Sequence, residues 1–322
     1  MHDREPMHNE KSTRCLVTGG AGFIGSHVAA RLLESGCEMA VVDNFSSGHR
    51  DNVPTGVAVY DQNICDPLDN VFADFRPEVV FHLAAQVSVS ASVRDPSLDV
   101  RTNILGSISL IQAAVKSDVR KVIYASSGAS YGPLTEVPLR EHYRPLPVSP
   151  YGVSKHTVEH YLRVAKKEWG LDWAALRYSN VYGPRQDPHG EAGVVAIFIQ
   201  KMLRGQSPTI FDDGELTRDY VFVEDVAEAN LRTLRADLSE CDDPIFNIST
   251  GKSLSVNALF SKLNDLLGSK IEAVYGPPRP GDVRHSLLDP TRAREQLDWT
   301  SACDIGEGLR RTIEFFETRV GC

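Results

Sequence analysis

Tyr151 and Lys155 stand four positions apart in the run Tyr-Gly-Val-Ser-Lys. In a helix of about 3.6 residues per turn such positions share a face, so an ammonium sits beside a phenol. A phenol ionises near pH ~10. To act as a general base at neutral pH it must be lowered by roughly 3 units, about 4 kcal/mol, and an adjacent cation has the right sign of field. The spacing recurs by chance in many helices. What the pair can do therefore depends on what the rest of the chain builds around it.

The first fifty residues supply a nucleotide site. Arg14 to Thr18 is a short apolar run, followed by Gly19-Gly20-Ala21-Gly22-Phe23-Ile24-Gly25 and an amphipathic stretch to about Glu34. This reads strand, glycine turn, helix. Glycines let backbone approach a pyrophosphate closely, and the helix start offers unpaired N–H groups and a positive dipole end. A second strand, Met39 to Asp43, delivers a carboxylate where an acid holds the adenosine ribose hydroxyls. Its charge repels a 2′-phosphate and Asn44 follows it, which favours NAD over NADP; Arg50 is the opposing cation.

A chain of 322 residues is long for one domain and fits an α/β unit with an appended lobe. The net charge of −9, with no run of Lys or Arg, excludes a phosphate-tracking surface, so no nucleic-acid partner is expected. Six cysteines are scattered without a Cys-x-x-Cys pair. Reduced thiols are expected, with neither a disulfide framework nor a metal site. No apolar stretch is long enough to span a bilayer, and the first residues are polar. A cytoplasmic enzyme with no membrane partner and a disordered leader over residues 1–12 is the expectation.

Strand and helix then alternate. Strands are expected at Val57 to Tyr60, Glu78 to His82, Arg120 to Ala125 and Asp172 to Arg177; helices at Pro67 to Phe75, Ser97 to Lys116 and Tyr151 to Trp169. Alternation of this kind means a doubly wound parallel sheet with its ligands at the carboxyl ends of the strands. His82 to Gln86, Ser126-Ser127 and Tyr178-Ser179-Asn180 all fall there. Beyond Gly183-Pro184 the chain is richer in Gly, Pro and Asp. The expected division is residues 13–182 plus 221–249 for the nucleotide domain, and 183–220 plus 250–322 for a smaller α/β lobe. In Ser97 to Lys116, Leu98, Ile104, Leu105, Ile108, Leu110 and Ile111 make an apolar surface wider than one core stripe. It serves either core packing or a helix-mediated homodimer.

Thr18 to Gly25, Asp43-Asn44, His82 to Ala85, Ser126-Ser127, Tyr151 with Lys155, and Arg177 to Pro184 together resemble the extended short-chain dehydrogenase/reductase family. Within it the chain is most similar to the nucleotide-sugar epimerases of the UDP-glucose 4-epimerase group. The resemblance runs from about residue 14 to 320 and implies a Rossmann-type fold. It implies NAD as a tightly held, recycled cofactor and a UDP-hexose as substrate, inverted at C4 through a transient 4-keto sugar. Tyr151 would take the sugar hydroxyl proton, Lys155 would lower the tyrosine and hold the nicotinamide ribose, and Ser127 would bind the same sugar oxygen.

The resemblance also implies the two binding surfaces. Around the cofactor would lie Gly19, Gly22, Phe23, Ile24 and Gly25 of the turn, then Asp43, Asn44, Ser47 and Gly48. Asn63, Ile64, Leu83, Ala84, Ala85, Asn103 and Tyr178 would complete that site beside Tyr151 and Lys155. Around the substrate would lie Ser127, Asn180, Val194, Thr209, Phe211, Arg218, Tyr220, Arg279, Asp282 and Ser286. Asn180, Arg218 and Arg279 suit a diphosphate, Phe211 a uracil ring, and Asp282 a ribose.

Two departures narrow the chemistry. Gly128-Ala129 stand where relatives that eliminate water carry Asp-Glu after the serine, and decarboxylating relatives usually keep the Glu. Without those groups the acid and base for dehydration are missing. Ser286 is small at the position where a tyrosine restricts related epimerases to plain hexoses, so UDP-N-acetylglucosamine and UDP-N-acetylgalactosamine are expected beside UDP-glucose and UDP-galactose. A UDP-glucuronate 4-epimerase is the alternative enzyme, and a non-catalytic NAD-binding protein the alternative of another class.

Overall fold

In the computed structural model, residues 12–133, 136–188, 193–278 and 283–320 are described. Most of the expected leader, residues 1–11, lies outside them, as do Arg279 and Asp282.

Six strands arise in chain order: β1 Arg14–Thr18, β2 Glu38–Asp43, β3 Ala58–Asp61, β4 Val79–His82, β5 Lys121–Ser127 and β6 Asp172–Tyr178. Ile245–Ile248 joins them beside β6. The seven form one sheet in the order Ile245–Ile248, β6, β5, β4, β1, β2, β3, with every pairing parallel. Along β1, β4 and β5 successive residues go to opposite apolar clusters. Val17, Phe81 and Ile123 pack with Val28, Leu32 and Val226 in one; Leu16, Val80 and Val122 join Leu110, Val158 and Leu162 in the other. Both faces are covered by helices, which is why these strands read as continuous apolar runs and not as alternation. The chain is thus a doubly wound, Rossmann-type α/β fold.

The strand order reverses between β1 and β4. β1 to β3 progress one way, and β4, β5, β6 and the last strand the other. Ligands bind at such a switch point, at the carboxyl ends of the strands.

The helix carrying Tyr151 runs from Pro150 to Trp169 and is specified at both ends. Ser149 accepts a hydrogen bond from Gly152 N–H, Pro150 occupies the first turn, and Gly170 closes the helix at φ 73°. The stretch expected as one helix from Ser97 stays helical from Pro96 to Lys116, but Val100–Leu105 is wound as π-helix. Such an inserted residue is common at functional sites. Here Asn103, inside the wound segment, reaches Gln86 and Ser154, partners far along the chain in both directions. In the same stretch Leu110 and Ile111 are buried whereas Leu98 and Leu105 are 42% and 56% exposed, so the wide apolar surface divides into a core face and a free face.

A third apolar cluster, with Val195, Phe198, Ile199, Ile210, Leu259, Leu263, Leu309 and Ile313, lies apart from the main sheet. Three short sheets accompany it: Asn180–Tyr182 with Tyr220–Phe222, Thr209–Phe211 with Val274–Gly276, and Leu254–Ser255, Thr217–Arg218 and His285–Ser286 together.

Candidate active site

At the switch point Thr18 and His82 are register partners. Gly19 has a φ of +69°, and a Cβ there would come within 2.7 Å of Ala84 N, so the Leu83-Ala84 turn is pressed onto the glycine turn. A Cβ on Gly25 would overlap the Gly19 carbonyl oxygen, which fixes the helix start against the turn. Gly22, by contrast, would bring a Cβ near nothing but Gly19 O, at 3.2 Å. The helix Phe23–Glu34 has no side-chain cap and no acid in its first turn. Its N–H groups and positive end suit a pyrophosphate.

Asp43 helps to shape this cradle. Its Oδ2 accepts from Ala21 N–H at 2.9 Å and its Oδ1 from Phe45 N–H at 2.8 Å. A carboxylate has about four lone-pair directions, so both oxygens retain capacity for ribose hydroxyls. Gly48 lies against Ala21, where a Cβ would stand 2.9 Å from its carbonyl carbon. Asn52 carries no signal in the sequence: its Nδ2 donates to Ala21 O at 3.1 Å and clamps the turn from outside. Arg50, the cation that argued for a 2′-phosphate, is ion-paired with Asp61, its guanidinium 4.1 Å above the Phe45 ring. Asn44 accepts from Ser46 N–H at 3.1 Å, Asn63 accepts from Cys65 N–H at 2.9 Å, and Ile64 packs against Gly106.

At the end of β5, Ser127 stands close enough to Tyr151 for its hydroxyl to lower the phenol. Lys155 donates from Nζ to Ala125 O at 2.8 Å and lies 5.8 Å from the centre of the Tyr151 ring. The expected depression of the tyrosine is absent from the chain by itself. Burial pushes Tyr151 up to about 12; the Ser127 hydroxyl pulls it down and Asp99 pushes it up. Burial also lowers Lys155 to about 8, with Asp99 acting against it. Desolvating both groups outweighs the field of the ammonium on the phenol. Gly152, unremarkable in the sequence, explains how the helix comes so close: a Cβ there would stand 2.6 Å from Ala129 O. Tyr151 N–H donates to Ser92 Oγ at 3.1 Å.

Beneath the pair lies a buried polar network. Asn103 Oδ1 accepts from Gln86 N–H at 2.8 Å, and its Nδ2 donates to Gln86 O, Asp99 Oδ1 and Ser154 Oγ at 2.9, 3.0 and 3.2 Å. Its amide thus holds the loop after β4 against the helix that carries Tyr151. Ser107 donates to Asn103 O at 2.6 Å, which leaves its oxygen to accept from His82 Nε2 at 2.8 Å and His82 Nδ1 to accept from Thr18 Oγ1 at 2.8 Å. Burial, then the charge of Lys155, lowers His82 to about 3 and keeps it neutral. Asn103 makes its bonds from within the π-wound segment, and Asp99 and Ser107 make theirs from either side of it. Tyr178 turns its side chain into the core, where Asn230 Nδ2 donates to its hydroxyl at 2.9 Å.

Several expected substrate residues come together on adjoining strands. Ser127 is the register partner of Tyr178, and Asn180 lies two residues beyond Tyr178; Asn180 pairs with Tyr220, and Arg218 with Ser286. Asp219 between Arg218 and Tyr220 is fully buried and accepts from Thr250 N–H and Gly251 N–H, each at 2.9 Å, which fixes the segment carrying them. Phe211 pairs with Gly276, where a Cβ would stand 3.4 Å from its ring, and Thr209 with Val274. Val194 opens the helix Val194–Leu203.

The profile of the NAD dependent epimerase/dehydratase family matches residues 15–249. UDP-glucose 4-epimerase of Thermotoga maritima, solved with UDP-glucose, superposes with a TM-score of 0.92 at 49% identity, covering 96% of this chain and 100% of that one. UDP-glucose 4-epimerase of Thermus thermophilus, solved with NAD, gives 0.90 at 43% identity over 95% and 99% of the chains. UDP-N-acetylglucosamine 4-epimerase of Methanobrevibacter ruminantium, in complex with UDP-N-acetylmuramic acid, gives 0.91 at 37% identity over 96% and 99%.

Proposed function

Because the chain belongs to the NAD dependent epimerase/dehydratase family, we propose that it interconverts C4 epimers of UDP-hexoses, using NAD as a bound, recycled cofactor. The observation that carries this reading is that Ser127, at the end of β5, and Tyr151, at the start of the helix Pro150–Trp169, are brought together, with Gly128 and Ala129 beside them in place of an acid and a base. Epimerisation at C4 needs one proton removed from the hydroxyl and returned; elimination needs more. Ser127 holds the sugar oxygen within reach of Tyr151, whose phenolate takes the proton. Lys155 stabilises that phenolate, and Tyr151 gives the proton back after the keto sugar has turned over. Bound NAD supplies the hydride acceptor and donor. The uncapped helix start, Asp43 and the Gly19–Ala84 contact are the features into which it fits. The cytoplasm, with its reduced thiols, is the proposed compartment; the five described cysteines are all free and no described helix is long and apolar enough to cross a membrane.

Purified protein given UDP-glucose without added NAD is expected to yield a product of unchanged mass that separates from it chromatographically. Turnover of UDP-glucuronate in place of UDP-glucose would reject the UDP-hexose assignment. We further propose that Ser286, next to the diphosphate-binding candidate Arg218, leaves room for a 2-acetamido group. Ser286→Tyr should then abolish turnover of UDP-N-acetylglucosamine while UDP-glucose is still converted; equal loss of both would refute this.

The free apolar face suits a second copy of the chain. Val153, Tyr161 and Val164 of the helix Pro150–Trp169 are likewise 46%, 43% and 47% exposed, and that helix packs against the segments carrying Leu98 and Leu105. Pairing such a face about a two-fold axis buries it on both copies. In sedimentation the wild type should run as a dimer and Leu105→Glu with Val164→Glu as a monomer. A monomeric wild type would end the proposal.

A further inference from the structure

Asp99 is completely buried, yet its Oδ2 has no hydrogen-bond partner among the described residues. Its Oδ1 accepts from Gln86 Nε2 and Asn103 Nδ2, both at 3.0 Å, and through Asn103 it is tied to Ser154, the neighbour of Lys155. A buried carboxylate with an unsatisfied oxygen is costly, so its charge has to be balanced nearby. The cation next to this network is Lys155, on the helix against which the Asp99 segment packs. Asp99 stands close enough for its charge to act on Lys155, Tyr151 and Tyr124 alike. The other groups around Lys155 do not replace it. Tyr124 of β5 is a neutral phenol, burial keeps His82 of β4 neutral, and Glu159 on the same helix is committed to Arg177 at 2.7 Å.

We propose that Asp99 is a positioning residue for the reaction, the buried anion that keeps the Lys155 ammonium charged beside Tyr151. This rests on the epimerase reading above. It reconciles two demands on the site: burial, which an ordered hydride transfer needs, and a lysine that still carries its proton at working pH. An anion has the same sign of effect on both partners, holding the proton on Lys155 and also on Tyr151. Asp99 therefore raises the upper limit of the active pH range and costs some ease of forming the phenolate. Neutralising it shifts both limits in one direction, which a merely structural residue does not do.

The test is the pH dependence of kcat for UDP-glucose in the holoenzyme, for the wild type, Asp99→Asn and Asp99→Glu. In Asp99→Asn both limbs should move to lower pH, by roughly one unit, so that activity is lost about tenfold on the alkaline side and retained or improved on the acid side. Asp99→Glu should restore the wild-type profile. A uniform loss at every pH with both limbs in place would overturn the proposal. A second readout is independent of activity: the titration midpoint of Lys155, followed by NMR of 13C-labelled lysine and assigned with Lys155→Arg, should fall in Asp99→Asn. An unchanged midpoint overturns the proposal whether or not UDP-glucose is a substrate, whereas an inactive wild type with a lowered midpoint overturns only the epimerase reading. Asp99→Ser provides the same comparison if the asparagine variant does not fold; failure of both to fold would make Asp99 a structural residue and reject the role.

Discussion

Tyr151→Phe is expected to convert UDP-glucose about a hundredfold to ten-thousandfold more slowly than the wild type, the range for losing a positioned general base. The substitution removes only the phenolic oxygen. That atom faces Ser127, whereas the helix is anchored by other groups: Ser149 at its cap, Tyr151 N–H on Ser92 Oγ, and Lys155 on Ala125 O. The loss should therefore appear in kcat, with KM and bound NAD close to wild type. The pH profile has its own sign. With burial holding the phenol up near 12 in the chain itself and Lys155 down near 8, the phenolate–ammonium pair gains population with rising pH until the ammonium begins to be lost, after which each gain in phenolate is offset by a loss of ammonium. Activity should thus climb toward about pH 8 and level off above it. Steady-state rates across pH check both statements; a phenylalanine variant within a few-fold of wild type would remove Tyr151 from the mechanism.

The second large effect is on stability. Glu159 and Arg177 form a fully buried bidentate pair, with Nε to Oε1 at 2.9 Å and Nη2 to Oε2 at 2.7 Å. Ser126 Oγ donates to Oε1 at 2.6 Å and His156 Nδ1 to Oε2 at 3.0 Å, while Arg177 lies 4.5 Å from the centre of the Tyr131 ring. The network ties the catalytic helix to β5 and β6 one turn beyond Lys155. Removing one partner leaves the other charge buried and uncompensated, so Glu159→Ala should lose about 3–5 kcal/mol in urea unfolding. Burial alone would raise this carboxyl, but the hydrogen bonds from Arg177 and His156, the charge of Arg177 and the bond from Ser126 outweigh it and hold it near 2. Its folded value is depressed, so its contribution is complete above the ordinary value of 4.5 and fades as pH falls toward 2. The stability gap between the wild type and Glu159→Gln should narrow over that window. A gap constant down to pH 2 would mean that the charge is not what stabilises the pair.

Much of the fold can be read locally because the signals are local. Arg14–Thr18 coincides with the expected strand, and the helix expected from Tyr151 to Trp169 begins one residue earlier, at Pro150. Apolar runs, glycine turns and capping residues act over a few positions, and parallel strands buried on both faces keep them unambiguous. The π-wound segment from Val100 to Leu105 was not legible. In it and beside it, Asn103, Asp99 and Ser107 bond to Gln86 and His82, partnerships between separate elements that local sequence does not encode.

The site divides in the same way. Residue types and spacing alone determined a glycine cradle with an acid beyond it, a tyrosine and lysine on one helical face, and a serine at a strand end, because each is a short-range pattern with one chemical use. Only tertiary structure decided that Ser127 meets Tyr151 and that Arg218 meets Ser286, since the packing of a helix on a strand end sets the first contact and register between separate strands the second. It alone revealed Asn52, Gly152 and Asp99, whose roles consist in what they touch across the fold. It also reversed the expected sign at Tyr151. Spacing shows an ammonium near a phenol, but the energy of a charge depends on how much water the whole fold removes from around it.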